Sequence, residues 1–398
     1  MTGERSDREH GLGPSLEPVG LGTIAAQWLR LGCIGFGGPP THIALLRRMC
    51  VEERHWIDAK EFEDGIATTN LLPGPASTQL AIYCAWRLRG VAGAILGGLC
   101  FIVPGLALIL ALSAVFLASN PPDWILGAAA GAGAAVPAVA LHAAYGLVPA
   151  SWNRIGSARS EHLRWLAYAT VGGTAAATVG PYLVVVLVVC GITEILVRRQ
   201  GRPLGDQVKA FLPAVVSHAP VLGGLGALAW VALKIGALSY GGGFVIIPLM
   251  QHDAVVTYHW MTGAQFLNAV ALGQITPGPV VQTVAVVGYA AGGVGGGLLA
   301  ALIAFSPSFV FVIAGAPHFD QIRANRSVEA FLTGAGPAVI GAIAGSAIPL
   351  GFSLQHLWQI PVLAGALIWL AGLRRGVVSG LLMAGAVGVL LALTGVPV

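Results

Sequence analysis

A Pro-Gly-Pro motif occurs twice in this chain, at residues 73–75 and again 204 positions later at residues 277–279. Proline lacks an amide hydrogen and pushes the preceding residue out of the α region, so each copy must break a helix. The half-helix that restarts after each break presents free backbone amides and the positive end of its dipole, which together bind anions. The two motifs therefore predict two anion-binding helix ends.

Neutral hydrogen-bonding residues surround both motifs, and glycine-rich stretches precede them. The first group that we expect to contact a ligand is Asn70, Pro73, Gly74, Pro75, Ser77, Thr78 and Gln79. Its counterpart in the second half is Gln274, Thr276, Pro277, Gly278, Pro279, Gln282 and Thr283. The glycine-rich stretches contribute Phe36, Gly37 and Gly38, and Tyr240, Gly241 and Gly242. Their glycines can bring backbone amides close to a ligand, or they can serve tight helix crossing instead.

Arg30 and Lys234 are the two basic residues that fall inside apolar segments, and they are also 204 positions apart. A charge at the bilayer centre costs about 2.5–3.5 kcal/mol on insertion scales and is normally paired with an acid. We find no acid in the core of any segment and therefore expect both cations to contact an anionic substrate. The alternative is that each extends to the interface or bonds backbone carbonyls near the glycine-rich breaks.

Composition places most of the chain in lipid. Of its 398 residues 56% are hydrophobic and 10% are charged, and the mean hydropathy is +0.79. Soluble domains carry about 25% charged residues. The long runs rich in Ala, Gly, Leu and Val lack the alternation of a membrane β-barrel. The sequence predicts an all-α polytopic membrane protein, with the lipid bilayer as a partner.

The chain contains an internal duplication. At the offset of 204 the matches include Gly32 with Gly236, Trp56 with Trp260, and Phe62 with Phe266. After one deletion the register continues at 203, as with Pro104 and Pro307. We divide the chain into a polar tail (residues 1–20), a first repeat (21–200), a linker (201–221) and a second repeat (222–398).

Lysines and arginines predict how the repeats cross the membrane, because loop Lys and Arg mark the cytoplasmic side. Basic residues flank the first Pro-Gly-Pro segment on both sides, namely Arg47, Arg48, Arg54 and Lys60 before it and Arg87 and Arg89 after it. If the segment enters and leaves on one face, all of them lie inside; twelve full spans would separate the two groups. We therefore predict about ten spans plus two re-entrant hairpins. Five spans per half make the repeats inverted, with a site between them near the midplane.

The order of motifs resembles the chromate ion transporter family in its long two-domain form. The similar elements are Arg-Leu-Gly-x-x-x-Phe-Gly-Gly-Pro from Arg30, then His42, Trp56, Phe62 and the first Pro-Gly-Pro, and in the second half Lys234, the glycine-rich stretch and Thr276 with the second Pro-Gly-Pro. The resemblance implies a multi-pass secondary transporter of the inner or plasma membrane that expels chromate from the cytoplasm of bacteria by alternating access. It also implies sulfate as an analogue of the substrate.

Other functions remain alternatives: transport of a different inorganic anion, a passive anion channel, or a membrane-embedded enzyme. We find no phosphate-binding loop, nucleophile elbow or His-Glu-x-x-His motif, so we expect no catalytic residues and no cofactor. The five cysteines and the histidines show no metal-binding spacing, and the basic residues are spread over loops, which argues against nucleic acid. His42, close to the first helix break, is the histidine most worth testing. A homodimer stays open, and proton coupling is a secondary hypothesis to efflux driven by the membrane potential.

Overall fold

The computed structural model describes residues 19–118, 120–178, 182–199, 223–239, 244 and 246–398, and all regular structure in these residues is helical. The predicted linker, nearly all of the polar tail, and Tyr240, Gly241 and Gly242 lie outside the described residues. The described part of the first half contains α1 (Leu21–Ile34), α2 (Pro39–Arg47), α3 (Ala59–Thr69), α4 (Ala76–Phe116), α5 (Asp123–Trp152), α6 (Arg159–Thr178) and α7 (Leu183–Arg199).

The second half repeats this order. It contains α8 (Gly224–Leu238), α9 (Ile246–Gln251), α10 (Gly263–Ile275), α11 (Thr283–Gly315), α12 (Phe319–Ala324), α13 (Arg326–Phe352), α14 (Gln359–Leu367) and α15 (Val377–Leu393). A π-helical turn extends α2 over Arg48–Glu53, and another extends α9 over His252–Thr257. A short 3₁₀ turn, Val280–Gln282, leads into α11. The helix breaks predicted at both Pro-Gly-Pro motifs are confirmed.

The helix after each Pro-Gly-Pro motif has a second break further along. In α4 the backbone leaves helical geometry at Arg89 and Gly90, and in α11 at Gly292 and Gly293. The two kinks are 203 positions apart, in the register that follows the deletion. Gly90 and Gly293 adopt φ of +57° and +63°, a left-handed conformation that glycine accepts without steric cost. Each kink ends the returning arm of a hairpin and starts a long helix.

Four described helical segments are long and apolar enough to cross a membrane: Ala76–Phe116, Asp123–Trp152, Val280–His318 and Arg326–Phe352. Gly224–Leu238, Gln359–Gly372 and Val377–Leu393 are shorter apolar helices. The protein is therefore a multi-pass membrane protein. The number of ten spans and the inverted orientation of the halves stay predictions.

The two halves interleave. The central helix of the first half, α5, packs against α14 and α15 of the second half, whereas its counterpart α13 packs against α6 and α7 of the first. Glycines make these contacts close: a Cβ at Gly131 would collide with the backbone at Ala384, and one at Gly345 with the backbone at Gly173. Small residues at such interfaces let helix backbones approach each other in lipid. The paired central helices α5 and α13 also pack together, as do α4 and α11.

Candidate functional site

The first Pro-Gly-Pro motif forms the tip of an antiparallel hairpin made by α3 and the first part of α4. At its open end Arg87 forms an ion pair with Glu61, and nearer the tip Gly65 lies against the ring of Tyr83. The chain reverses at Gly74, whose φ of +121° only glycine adopts easily. The beginning of α3 and the end of the returning arm lie together at the open end. The motif therefore lies at the opposite, closed end of the hairpin.

The second motif forms the tip of a matching hairpin. Gly273 near the end of α10 lies against Thr283 at the start of α11, and Gly278 turns the chain with a φ of +97°. Every residue from Thr276 to Gln282 is buried, whereas Pro73 at the first tip is exposed. The two tips therefore have the same backbone form and different surroundings.

Each tip rests on the long helix of the other half. Gly105 in α4 lies under Pro277, and the side-chain nitrogen of Gln282 donates to the carbonyl of Ile102, 2.9 Å away. At the equivalent place in α11, a Cβ on Gly74 would come within 3.4 Å of the Ser308 hydroxyl. The hairpin tips thus converge on the crossing of α4 and α11.

His42 connects the break after α1 to both tips. Its Nε2 lies 2.9 Å from the carbonyl of Gly35, and its Nδ1 lies 3.2 Å from the hydroxyl of Ser77. A carbonyl only accepts, so Nε2 carries the proton and Nδ1 accepts from Ser77. The same carbonyl also accepts a hydrogen bond from the amide of Gly278, at 2.9 Å. His42 is almost fully buried, and its ring meets Phe101 edge to face.

Several buried polar atoms near these breaks have no hydrogen-bond partner among the described residues. They are Thr78 Oγ1, Gln79 Oε1, Ser239 Oγ, Gln274 Nε2, Gln282 Oε1 and Ser308 Oγ. Leaving one such atom unpaired costs about 1–3 kcal/mol, so buried polar groups are normally satisfied by protein, water or a ligand. In addition, no side chain caps the helix that follows Pro75 or the turn that follows Pro279. The unsatisfied groups concentrate where the sequence predicted a ligand.

The two cations do not belong to this group of polar atoms, which corrects the prediction of two unpaired buried charges. Lys234 forms an ion pair with Asp253 in the π-helical turn after α9. Asp253 is buried although it follows an apolar segment in a polar stretch of the sequence, which does not mark it as an acid close to a span. Arg30 is exposed on α1 and has no ion-pair partner among the described residues, which fits the alternative that its side chain extends away from the core.

Known proteins identify the family. The profile of the chromate transporter family matches residues 22–195 and 226–393, which together make up most of the chain and correspond to its two repeats. The chain belongs to the chromate transporter family.

Curated relatives agree with this family assignment. A chromate transport protein of Cupriavidus metallidurans is 32% identical over 89% of this chain and 88% of its own length. A probable chromate transport protein of Synechococcus elongatus is 30% identical over 87% of this chain and 88% of its own. An uncharacterized transporter of Methanocaldococcus jannaschii is 27% identical over 85% and 86%. No solved structure matches the chain.

The remaining predicted site residues of this family member differ in whether their polar atoms already have hydrogen-bond partners. The hydroxyls of Thr276 and Thr283 donate to carbonyls of their own helical turns, so they are already occupied. Phe36 and Gly37 are exposed, whereas Gly38 is buried within reach of Val280. Asn70 is half-buried beside the first tip. The tip residues with unpaired buried donors, the hydroxyl of Thr78 and the NH₂ group of Gln274, are the better candidates for contact with an anion. The unpaired oxygens of Gln79 and Gln282 can only accept a hydrogen bond.

The sequence analysis missed residues that support the tips from the other half. Gly105 and Ser308 occupy equivalent positions, each directly after the matched proline, Pro104 or Pro307. The recurrence of a proline followed by a small residue in both repeats could have predicted that these positions are structurally equivalent. The contact between Gln282 and Ile102 carried no signal, because it joins positions 180 residues apart. His42 had been noted for its closeness to a break, but not among the binding residues.

Proposed function

We propose that this protein is a secondary transporter of a tetrahedral oxyanion, with chromate as the first substrate to test and sulfate as its analogue. The observation that carries the proposal is the set of unpaired buried donors near the two hairpin tips, namely the hydroxyls of Thr78 and Ser308 and the NH₂ group of Gln274. Backbone amides after Pro75 and Pro279, with the hydroxyls of Thr78 and Ser308, are neutral donors that suit the oxygens of such an anion. Among the described residues no carboxylate is bonded to these groups.

The names of the relatives support chromate as the substrate, since one of those compared is described as a chromate transport protein and another as a probable chromate transport protein. The absence of a nucleotide-binding motif from the sequence supports a secondary mechanism. The two hairpins, each supported by the long helix of the other half, suit inverted repeats that rock against one another around a fixed site. In this mechanism the site opens alternately to the two sides of the membrane.

The distribution of charge supports the orientation. At one end of the protein Arg47 pairs with Glu63 and Arg87 with Glu61, where the ends of α2 and of the first hairpin carry further basic residues. At the other end lie residues 117–118, the π-helical turn and loop at 252–262, and the loop at 353–358, which contain no Lys or Arg. We call this end the Lys/Arg-free face and assign it to the outside, because loop Lys and Arg mark the cytoplasm.

An inside-negative potential would drive the export of a dianion. Each charge gains about 2.3 kcal/mol per 100 mV, so two charges gain about 4.6 kcal/mol without any coupled ion. Potential-driven export therefore needs no carboxylate in the membrane. We place the protein in the inner or plasma membrane, where such a potential exists.

Chromate flux into everted membrane vesicles tests the proposal, because everted vesicles turn export into measurable uptake. We expect saturable uptake of ⁵¹Cr-chromate that unlabelled sulfate inhibits and that follows an imposed potential. Counterflow, meaning stimulation by substrate already inside, would distinguish a carrier from a channel. Vesicles with the protein correctly inserted but no uptake above empty-vector vesicles would reject chromate as the substrate.

A further inference from the structure

A polar cavity of about 270 Å³ opens at the Lys/Arg-free face. It lies between the end of α4, the start of α5, the start of α10 and the loop before α14. Its polar lining is Thr262, Gln265, Asn268, Gln355, His356 and Gln359. No described residue of this lining is a lysine, arginine, aspartate or glutamate. The other described lining residues are apolar and include Val398, so the polar side chains at this mouth of the transporter are amides, one hydroxyl and one imidazole.

The cavity sits at the start of the helix that ends at the second tip. Along α10 the half-buried positions include Gln265, Asn268, Leu272 and Ile275, which share one face, while Phe266 and the other intervening residues are mostly buried. From Gln265 to Thr276 the helix rises about 16 Å, at 1.5 Å per residue. Helix α10 thus has the cavity at its start and the second hairpin tip at its end.

The first repeat carries acids at the equivalent positions. At the offset of 204, Asp58 corresponds to Thr262, Glu61 to Gln265 and Asp64 to Asn268. Two of these pairs differ only by an oxygen in place of an NH₂ group. Arg87, which forms an ion pair with Glu61, corresponds to Ala290 at the offset of 203. The second hairpin therefore has a backbone like that of the first, but neutral residues stand at the positions of these acids and of Arg87.

Loss of charge suits a mouth through which a dianion passes. A carboxylate there would repel the anion, and a lysine or arginine would hold it, whereas a neutral amide offers a hydrogen bond of moderate strength. Gln265 already uses its side-chain oxygen to accept from the amide of Thr262 in a capping box. Its NH₂ group has no partner among the described residues and is available to an oxyanion.

We propose that this cavity is an outer binding site through which the oxyanion leaves or enters, and that Gln265 and Asn268 keep it permissive by being uncharged. The inference rests on the proposed function, since it presumes that the cargo is an oxyanion. It adds a second site, on the Lys/Arg-free face, to the one at the hairpin tips.

Isosteric charge substitution tests the site. Asn268→Asp and Gln265→Glu each add one negative charge with almost no change of shape, and Glu serves in a capping box as well as Gln. In right-side-out vesicles, we expect the KM for external chromate in counterflow to rise about tenfold for either variant, by Coulomb repulsion of a dianion. Raising the salt concentration should reduce the effect, because ions screen the repulsion.

Thr257→Asp is the matched control, since this exposed residue of the same face does not line the cavity. We expect it to leave the KM unchanged. Equal KM values for wild type, Asn268→Asp and Gln265→Glu, with all three proteins inserted, would overturn the outer site and leave the transporter proposal intact. A KM change seen only from the cytoplasmic side would also overturn it. Wild-type vesicles without flux of chromate or sulfate would reject both proposals together.

Discussion

The amide of Gly278 donates a hydrogen bond to the carbonyl of Gly35 over 2.9 Å, and this bond joins the tip of the second hairpin to the break after α1. Gly35 ends the first helix of one half, and Gly278 turns the chain in the other. The carbonyl of Gly35 also accepts from His42. One backbone oxygen thus fixes the position of a hairpin tip, a helix end and a buried histidine.

Replacing His42 tests this arrangement. His42→Ala removes two buried hydrogen bonds and leaves a cavity beside Phe101 and Ser77. We expect a loss of about 2–4 kcal/mol in the free energy of unfolding, measured by titration of the micellar protein with SDS. We also expect chromate uptake to fall more than tenfold. Ser77→Ala is the milder comparison, because it removes one hydrogen bond and should cost about 1 kcal/mol. Equal stability of the wild type and His42→Ala would contradict the arrangement.

Gly105→Ala tests whether the second tip must rest on α4. The added Cβ would collide with the carbonyl of Pro277 and the side chain of Gln282, so the hairpin has to move. We expect a destabilisation of about 1–3 kcal/mol and the loss of uptake. Gly146→Ala is the matched control, since Gly146 lies within α5 and a Cβ there meets nothing within 4 Å. Alanine favours a helix over glycine, so this control should gain up to about 1 kcal/mol. Normal uptake by Gly105→Ala would place the functional contact elsewhere.

Local rules accounted for the helix breaks, because proline and glycine restrict or free the backbone independently of the rest of the fold. The breaks at the two Pro-Gly-Pro motifs and at residues 36–38 followed from this chemistry alone. The internal register of 204 and then 203 also predicted which residues correspond, and the kinks at Gly90 and Gly293 keep that register. The helical class followed from hydropathy and length.

Contacts between distant segments did not follow from the sequence. Packing of α5 against α14 and α15 depends on which small residues face each other, and many of the glycines in the chain could have done so. The error over Lys234 had a similar origin. Asp253 lies 19 residues away, beyond a glycine-rich stretch of the sequence, and only the fold shows that its side chain lies beside Lys234.

The ion pair between Lys234 and Asp253 predicts that Lys234 stabilises the fold, and this role can be tested against substrate binding. Their side chains are 16% and 9% exposed, so removing one partner leaves a largely buried charge. We expect Lys234→Met and Asp253→Leu each to lose about 3 kcal/mol of unfolding free energy, and the double variant to lose less than the sum. SDS titration of the four proteins in the cycle measures the coupling. Additive losses would show that the pair contributes no coupling energy. A substrate-binding lysine would instead show lost transport at unchanged stability.

Gln79 and Gln282 test the ligand site itself. They are equivalent residues in the register of 203, and each donates its NH₂ group to a carbonyl, that of Pro73 or Ile102, while its oxygen stays unpaired and buried. Glutamate in either place loses that donor and puts a buried negative charge beside a hairpin tip. An anion should then be excluded, so we expect chromate uptake to fall at least a hundredfold in Gln79→Glu and Gln282→Glu.

Asn325→Asp is the matched change of amide to acid. Asn325 caps α13, far along the chain from the tips, and aspartate caps a helix as well as asparagine does. Its uptake and stability should equal those of the wild type. Leucine at Gln79 or Gln282 removes the donor without adding charge, and should therefore retain more transport than glutamate. If leucine and glutamate variants lose transport equally while all remain folded, the glutamines act by supporting the tips, and the anion lies too far away to sense a charge there.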